Sequence, residues 1–339
     1  MEYIILFMSK NNYDLLDNWI IRCKNISTPE IINLDLGSEE HFMKTGKEIC
    51  RKHNIRFIKS ERTEFQHNIR QVFNQIKSNG INYILYMHQD CFPIEDNTFH
   101  KIDNTIKNNN LSDFGFIGFN IYHDIEIELL KYRQLELMTT ARTILQKGNG
   151  YYMRRPKGSR VNYKNYNKNS AYVVENVMWT SLLLSRKSFE EHIKIDLNFN
   201  FFLAADDMAF QFLKKNIYNI CIPYIHFTHD QSIKTKFKLP KDSPIGDKKE
   251  VIKRYGRIDH HKIWKEKWGF EWNIKKTSKI FNNRLIKYFI SRLFSEFYSG
   301  LETITRQQFN LSKNKSRLMI DLHNHDPING PLKYIKFKQ

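Results

Sequence analysis

The stretch Asn82-Tyr83-Ile84-Leu85-Tyr86-Met87-His88-Gln89-Asp90-Cys91-Phe92-Pro93 reads as a hydrophobic strand that ends by presenting an imidazole, an amide and a carboxylate together. A carboxylate at the carboxyl end of a buried strand is held by a rigid sheet and faces the crevice where open α/β folds bind ligands. A metal and a phosphate would sit there. An Asp that merely opens a turn before Pro93 is the other reading, and the short motif alone leaves both open.

Upstream, apolar blocks alternate with amphipathic ones. Residues 3–8 read as a strand, and 13–23 as a helix with Leu15, Leu16, Trp19 and Ile20 on one face. Residues 30–36 form a second strand ending near Asp35, 39–53 a helix, 55–59 a third strand and 65–77 a helix stopped by Ser78-Asn79-Gly80. Strands alternating with helices of this length indicate a parallel sheet with crossover helices. The first ninety or so residues are therefore Rossmann-like in class. They contain no GxGxxG, so no nicotinamide or flavin cofactor is expected.

Composition narrows the setting. The chain has 339 residues, is 41% hydrophobic and 14% aromatic, and so can bury a full α/β core with an appendage. A formal charge of +18 calls for an anionic partner: nucleic acid, an acidic membrane surface or phosphorylated small molecules. Cys23, Cys50, Cys91 and Cys221 are scattered without a CxxC pair, which fits free thiols in a reducing cytoplasm. The start of the chain enters a strand directly, without a basic leader, and no run reaches the ~18–20 apolar residues of a membrane span. A cytoplasmic protein is expected.

After Asp90 the rhythm changes. Residues 113–119 (DFGFIGF) read as a strand whose two glycines imply something packed closely against its backbone. Residues 146–170 are polar, basic and Tyr-rich, and read either as a solvated insert or as a lid over a site. Order resumes over 173–185, followed by Arg186-Lys187-Ser188-Phe189. Next come the acidic pair in FNFFLAADDMAFQF (199–212), a strand at 220–225, and His226-Phe227-Thr228-His229. A basic amphipathic helix is expected over 284–306.

The order of these features resembles the inverting, family-two-like glycosyltransferases of the A-type fold, in the bacterial branch whose DxD position reads His-Gln-Asp. The likeness extends over about residues 2–270, with Val72-Phe73-Asn74-Gln75 and Lys267-Trp268 as further landmarks. It implies a Rossmann-like, mostly parallel α/β sheet with a basic helical C-terminal appendage. A catalytic domain is expected over residues 1–235, with a donor half (1–93) and an acceptor half (94–235), and an extension over 236–339.

The same resemblance implies a division of labour. Asp90 would ligate Mn²⁺ or Mg²⁺ together with His229, with His226 the competing histidine, and the cation would offset charge on a leaving diphosphate. Ser9, Asp35, Asn74, His88 and Gln89 would contact a nucleotide-diphosphate sugar. Asp207 is expected as the general base, with Asp206 sharing the acidic pair or capping the following helix. Trp179 and Glu175 would meet a glycan or lipid-linked acceptor. An anionic membrane surface is a further expected partner for the 284–306 helix, placing the protein at the inner face of a membrane in surface-polysaccharide synthesis. The Arg154-Arg155, Lys157, Arg160 cluster among tyrosines fits nucleic acid as an alternative, but no nucleic-acid module is recognisable and none is expected to bind. A nucleotidyltransferase would carry a Gly-rich first loop, which Met8-Ser9-Lys10-Asn11-Asn12 lacks.

Overall fold

The computed structural model of the chain describes residues 1–77, 80–123, 143–147, 150–154, 170–174, 176–177, 179–199, 203–215, 217–230, 233, 260–268 and 334–336. The first half is built as the periodicity requires. β1 (Tyr3–Ser9), α1 (Tyr13–Arg22), β2 (Ile31–Asp35), α2 (Glu40–Lys52), β3 (Arg56–Lys59), α3 (Phe65–Ile76) and β4 (Tyr83–Met87) alternate, and the four strands pair in parallel in the order β3-β2-β1-β4. Every residue of β1 and of β4 is buried, because helices cover both faces of the sheet. Alternate side chains of β1 feed two cores. Ile4, Leu6 and Met8 pack with α3, whereas Tyr3, Ile5 and Phe7 pack with α1, α2 and α4 (Thr98–Asn108).

The second half extends the same sheet. β5 (Cys91–Pro93), β6 (Phe116–His123), a two-stranded ribbon of β7 (Thr143–Lys147) and β8 (Gly150–Arg154), β9 (Ser170–Val174), β10 (Ser181–Ser185), α5 (Arg186–His192), α6 (Ala204–Lys214), β11 (Asn219–His229), α7 (His260–Trp268) and β12 (Tyr334–Lys336) follow. β10 enters antiparallel between β4 and β6, and β11 runs parallel to β6. The strand order is β12-β9-β11-β6-β10-β4-β1-β2-β3, with β5 paired to β11. The fold is thus α/β with a Rossmann-like, mostly parallel sheet, the expected class.

Several details differ from expectation. The glycine-bearing strand starts only at Phe116, because Leu111–Asp113 forms a 3-10 turn. Close packing at its glycines is real: a Cβ on Gly118 would meet Val177 Cγ1 at 2.7 Å, and one on Gly115 would meet Asn219 Oδ1 at 2.5 Å. The stretch 146–170, read as a solvated insert or a lid, contributes strand residues to β7, to β8 and to the start of β9. α6 begins at Ala204 with Leu203 before it, so Asp206 lies inside the first turn and does not cap the helix.

Trp264 on α7 is 0% exposed within the α3/α6 core, and β12 pairs with β9 in the main sheet. Burying an indole of that size is worth roughly 2–3 kcal/mol, enough to bind α7 to the body. The 284–306 helix lies outside the described residues. No helix among the described residues is long and apolar enough to cross a membrane.

Candidate metal centre and acidic pair

Asp90 is positioned by a reversal of the chain. After β4, His88 N donates to Thr180 O (2.9 Å) and Cys91 N to His88 O (3.0 Å), so a tight turn sends the chain from β4 into β5. β5 then pairs antiparallel with the end of β11, opposing Cys91 to His229. The turn residue Asp90 is thereby set beside His229, a neighbour 139 residues distant in sequence, with Asp90 Oδ2 3.1 Å from His229 Nε2. Two supports hold this corner from behind: Asp230 N donates to Asp90 O, and Trp19 Nε1 to Cys91 O, both at 2.8 Å. Arg22 pairs with Asp230 at 2.7 Å and lies 3.6 Å from the Phe92 ring centroid.

His88 completes the group. Its Nδ1 is 3.8 Å from Asp90 Oδ1, and one ligand atom from each of His88, Asp90 and His229 lies within 4.8 Å of the others. Ligands about 2.1 Å from one ion sit roughly 3–4 Å apart, so these three residues fit a divalent cation with little movement. Asp90 is 1% exposed, so its charge has little water to rely on and a buried counter-charge is favoured.

The competing histidine is used elsewhere. β11 continues through His229, and residues three apart on a strand face opposite ways. His226 Nδ1 accordingly lies 2.9 Å from Glu95 Oε1, away from Asp90. Burial works to raise the Glu95 carboxyl, but Lys101 and His226 outweigh it and hold it below its ordinary value.

Ser9, Asp35 and Gln89 share this edge of the sheet, engaged with one another or with their loops. Gln89 Nε2 donates to Ser9 Oγ and Ser9 Oγ to Asn33 Oδ1, each at 2.5 Å, while Asn12 Nδ2 donates to Gln89 Oε1 at 2.8 Å. Asp35 takes the Tyr13 hydroxyl at 2.5 Å and the Gly37 and Ser38 amides at 3.0 Å, fixing the turn after β2. Burial, reinforced by Asp35, drives the Tyr13 phenol above its ordinary range, so it stays a donor. Asn74 is not brought to the group. It is exposed on α3 beside Phe73, whose carbonyl accepts Arg186 at 3.0 Å at the Tyr83 end of β4, opposite His88.

The acidic pair divides sharply. Asp207, expected as the base, is 0% exposed and its carboxylate is fully engaged. It accepts from Gln66 Nε2 (2.9 Å), Gln211 Nε2 (2.8 Å), Lys267 Nζ (2.9 Å) and Trp268 Nε1 (2.9 Å). These four donors tie the Asp207 carboxylate on α6 to α3 and α7. Asp206 is half-buried and accepts Asn176 Nδ2 at 2.6 Å. Three residues after Asn176, Trp179 stands 5.6 Å from the His88 ring centroid and 6.3 Å from Phe65. The segment entering β10 thus joins Asp206 to the histidine-aspartate group. Glu175 lies outside the described residues.

Sequence reasoning missed Asn176, Gln66 and Gln211, which carry no motif. Lys267-Trp268 was visible as a landmark, but its partner was not.

No protein-family model matches the chain, and neither does any curated protein. Among solved structures, GalNAc-T7 with UDP, GalNAc and Mn²⁺ is similar at 12% identity and TM-score 0.44, over 67% of this chain and 43% of that one. A mannosyltransferase from Pyrobaculum calidifontis with GDP-Man and Mn²⁺ is similar at 10% identity and TM-score 0.41, over 67% of this chain and 56% of that one. Residues 1-349 of TarS from S. aureus are similar at 10% identity and TM-score 0.39, over 70% of this chain and 63% of that one. The chain thus spans about half the length of the first two.

Proposed function

We propose that the chain is a glycosyltransferase of the A-type fold that moves a sugar from a nucleotide-diphosphate donor to an acceptor hydroxyl with inversion. The observation that carries the reading is the convergence of His88, Asp90 and His229, from the ends of β4 and β11, at the carboxyl edge of the sheet. These three would hold Mn²⁺ or Mg²⁺. When bound, the cation supplies positive charge to the diphosphate as it leaves.

The remaining roles fall to the chain's own groups. Asp206 accepts the proton of the acceptor hydroxyl, whose oxygen forms the new bond to the anomeric carbon. The bond from that carbon to the diphosphate breaks on the opposite face and its electron pair departs with the leaving group. Asn176 keeps the Asp206 carboxylate oriented, and Trp179 offers an aromatic face to the acceptor sugar. A saccharide or lipid-linked acceptor, a place in polysaccharide synthesis and contact with an anionic membrane through residues 284–306 belong to the same reading.

A thermal-shift screen of nucleoside diphosphates and nucleotide sugars, with and without Mn²⁺, tests it. Metal-dependent stabilisation by one diphosphate is expected, and Asp90→Asn should abolish it with an unchanged circular-dichroism spectrum. Asp206→Asn should cut transfer by ~10²–10⁴, the worth of a positioned base, with nucleotide affinity retained. Metal-dependent nucleotide binding that survives in Asp90→Asn overturns the assignment.

A further inference from the structure

Five polar side chains and one strained residue converge beneath Asp206, outside the reaction itself. Lys267 Nζ bridges two carboxylates, Asp207 at 2.8 Å and Asp196 at 2.8 Å. Gln66 ties the same point to α3: its Nε2 reaches Asp207 and Ala204 O, and its Oε1 accepts Asp196 N at 2.8 Å. Gln211 joins Asp207 to both backbone groups of Lys194. Around this polar knot the Phe210 ring meets Trp264 and Trp268 edge to face, with Phe210 and Trp268 centroids 4.4 Å apart, and the two indoles lie tilted to one another. Leu203, the residue that opens α6, holds φ at 61°, a left-handed conformation that a leucine keeps only when its surroundings enforce it.

Adjacent residues on a helix point about 100° apart. Once Asp207 is pinned inward by Lys267 and Trp268, the direction of Asp206 is settled: sideways, onto Asn176. We propose that Lys267 and Trp268 of α7 are positioning residues, which clamp Asp207 and through it aim Asp206 and hold the strained entry of α6. This rests on the assignment of Asp206 as base, but the clamp has a signature independent of catalysis. Lys267→Met strands the fully buried Asp207 carboxylate, a costly change, whereas also neutralising Asp207 removes that part of the cost and leaves only the partly exposed Asp196 without its lysine. In Asp207→Asn, Lys267 keeps Asp196 as its partner.

The test compares wild type, Lys267→Met, Asp207→Asn, the double variant and Trp268→Phe. Amide exchange over residues 203–210, nucleotide-diphosphate binding with Mn²⁺ and the pH profile of transfer are measured on each. Lys267→Met should raise exchange in the first turn of α6 and lower kcat by about 100-fold, the scale of a catalytic group displaced by about 1 Å, with donor KM little changed. The double variant should regain much of both, and Trp268→Phe, which keeps a smaller aromatic ring and loses the hydrogen bond to Asp207, should fall between. The apparent pKa of the base should persist in Asp207→Asn. Loss of transfer in Asp207→Asn and the double variant, with α6 still protected, would make Asp207 the base and overturn the proposal. Unchanged exchange in Lys267→Met would overturn it as well. If wild type neither binds nucleotide nor transfers sugar, the glycosyltransferase reading fails while exchange still decides the clamp.

Discussion

Gly118→Ala is a small change placed where the fold and the site meet. Gly118 sits in β6 between β10 and β11, opposite Leu182 and Cys221, and its missing side chain is the space that Val177 occupies. An added Cβ would lie 2.7 Å from Val177 Cγ1 and 2.8 Å from Val177 Cβ, well inside the ~3.5–4.0 Å of an ordinary carbon contact. Both atoms are near the main chain, so a rotamer change cannot relieve the clash; the backbone at Val177 must retreat by most of an ångström. Overpacking of this kind costs about 1–3 kcal/mol, and 2 kcal/mol lowers Tm by roughly 4–8 °C in a domain of this general size. The same retreat carries Asn176 off Asp206 and Trp179 off His88, since the three lie within four residues. Differential scanning calorimetry should therefore show a lowered Tm, and transfer should fall by more than stability alone explains. Val177→Gly removes the Cβ together with both γ-methyl groups, and in the double variant part of the loss in Tm and transfer should return. A Gly118→Ala protein with wild-type Tm, or a double variant no better than the single, would refute the packing argument.

The cation site should discriminate among metals: two imidazoles and one carboxylate suit Mn²⁺ or Co²⁺ better than Mg²⁺, so nucleotide-dependent stabilisation should be larger with Mn²⁺, and His88→Asp should narrow the difference. His229→Ala should weaken the metal response more than His226→Ala, as followed by the same thermal shift. Burial pushes the Cys23 and Cys50 thiols up to about 12 and Cys91 well above its ordinary value, so native protein should resist a thiol-disulfide reagent at neutral pH and react on unfolding. Burial works to raise the Asp196 carboxyl, but Lys267 and the Asn198 amide hold it below its ordinary value. Its contribution is then complete above an unfolded pKa of ~3.9 and lost as pH falls through the lower folded value, so acid titration should weaken the α7 clamp below about pH 4, a dependence that Lys267→Met flattens.

Much of the donor half could be read from the chain because its signals are local. Apolar runs at 3–8 and 82–87 sit between amphipathic helices, and the period-two and period-3.6 patterns act over a few residues, so β1 to β4 and α1 to α3 fall within a residue or two of expectation. The turn chemistry of His88-Gln89-Asp90 was legible for the same reason. What the sequence could not rank were choices made by partners distant along the chain. His226 and His229 are equivalent as residues, and only the pairing of β5 with β11 puts one on Asp90 and the other on Glu95. Asp206 and Asp207 are identical in type and adjacent. Lys267 and Trp268, sixty residues away, arrive through the packing of α7 and bind Asp207, while Asp206 accepts from Asn176. The packing of α7 was hidden likewise, because a polar, Lys-rich stretch gives no local sign that Trp264 will be swallowed by a core assembled elsewhere. Local periodicity determines the elements, and long-range packing decides which partners each carboxylate and each histidine meets.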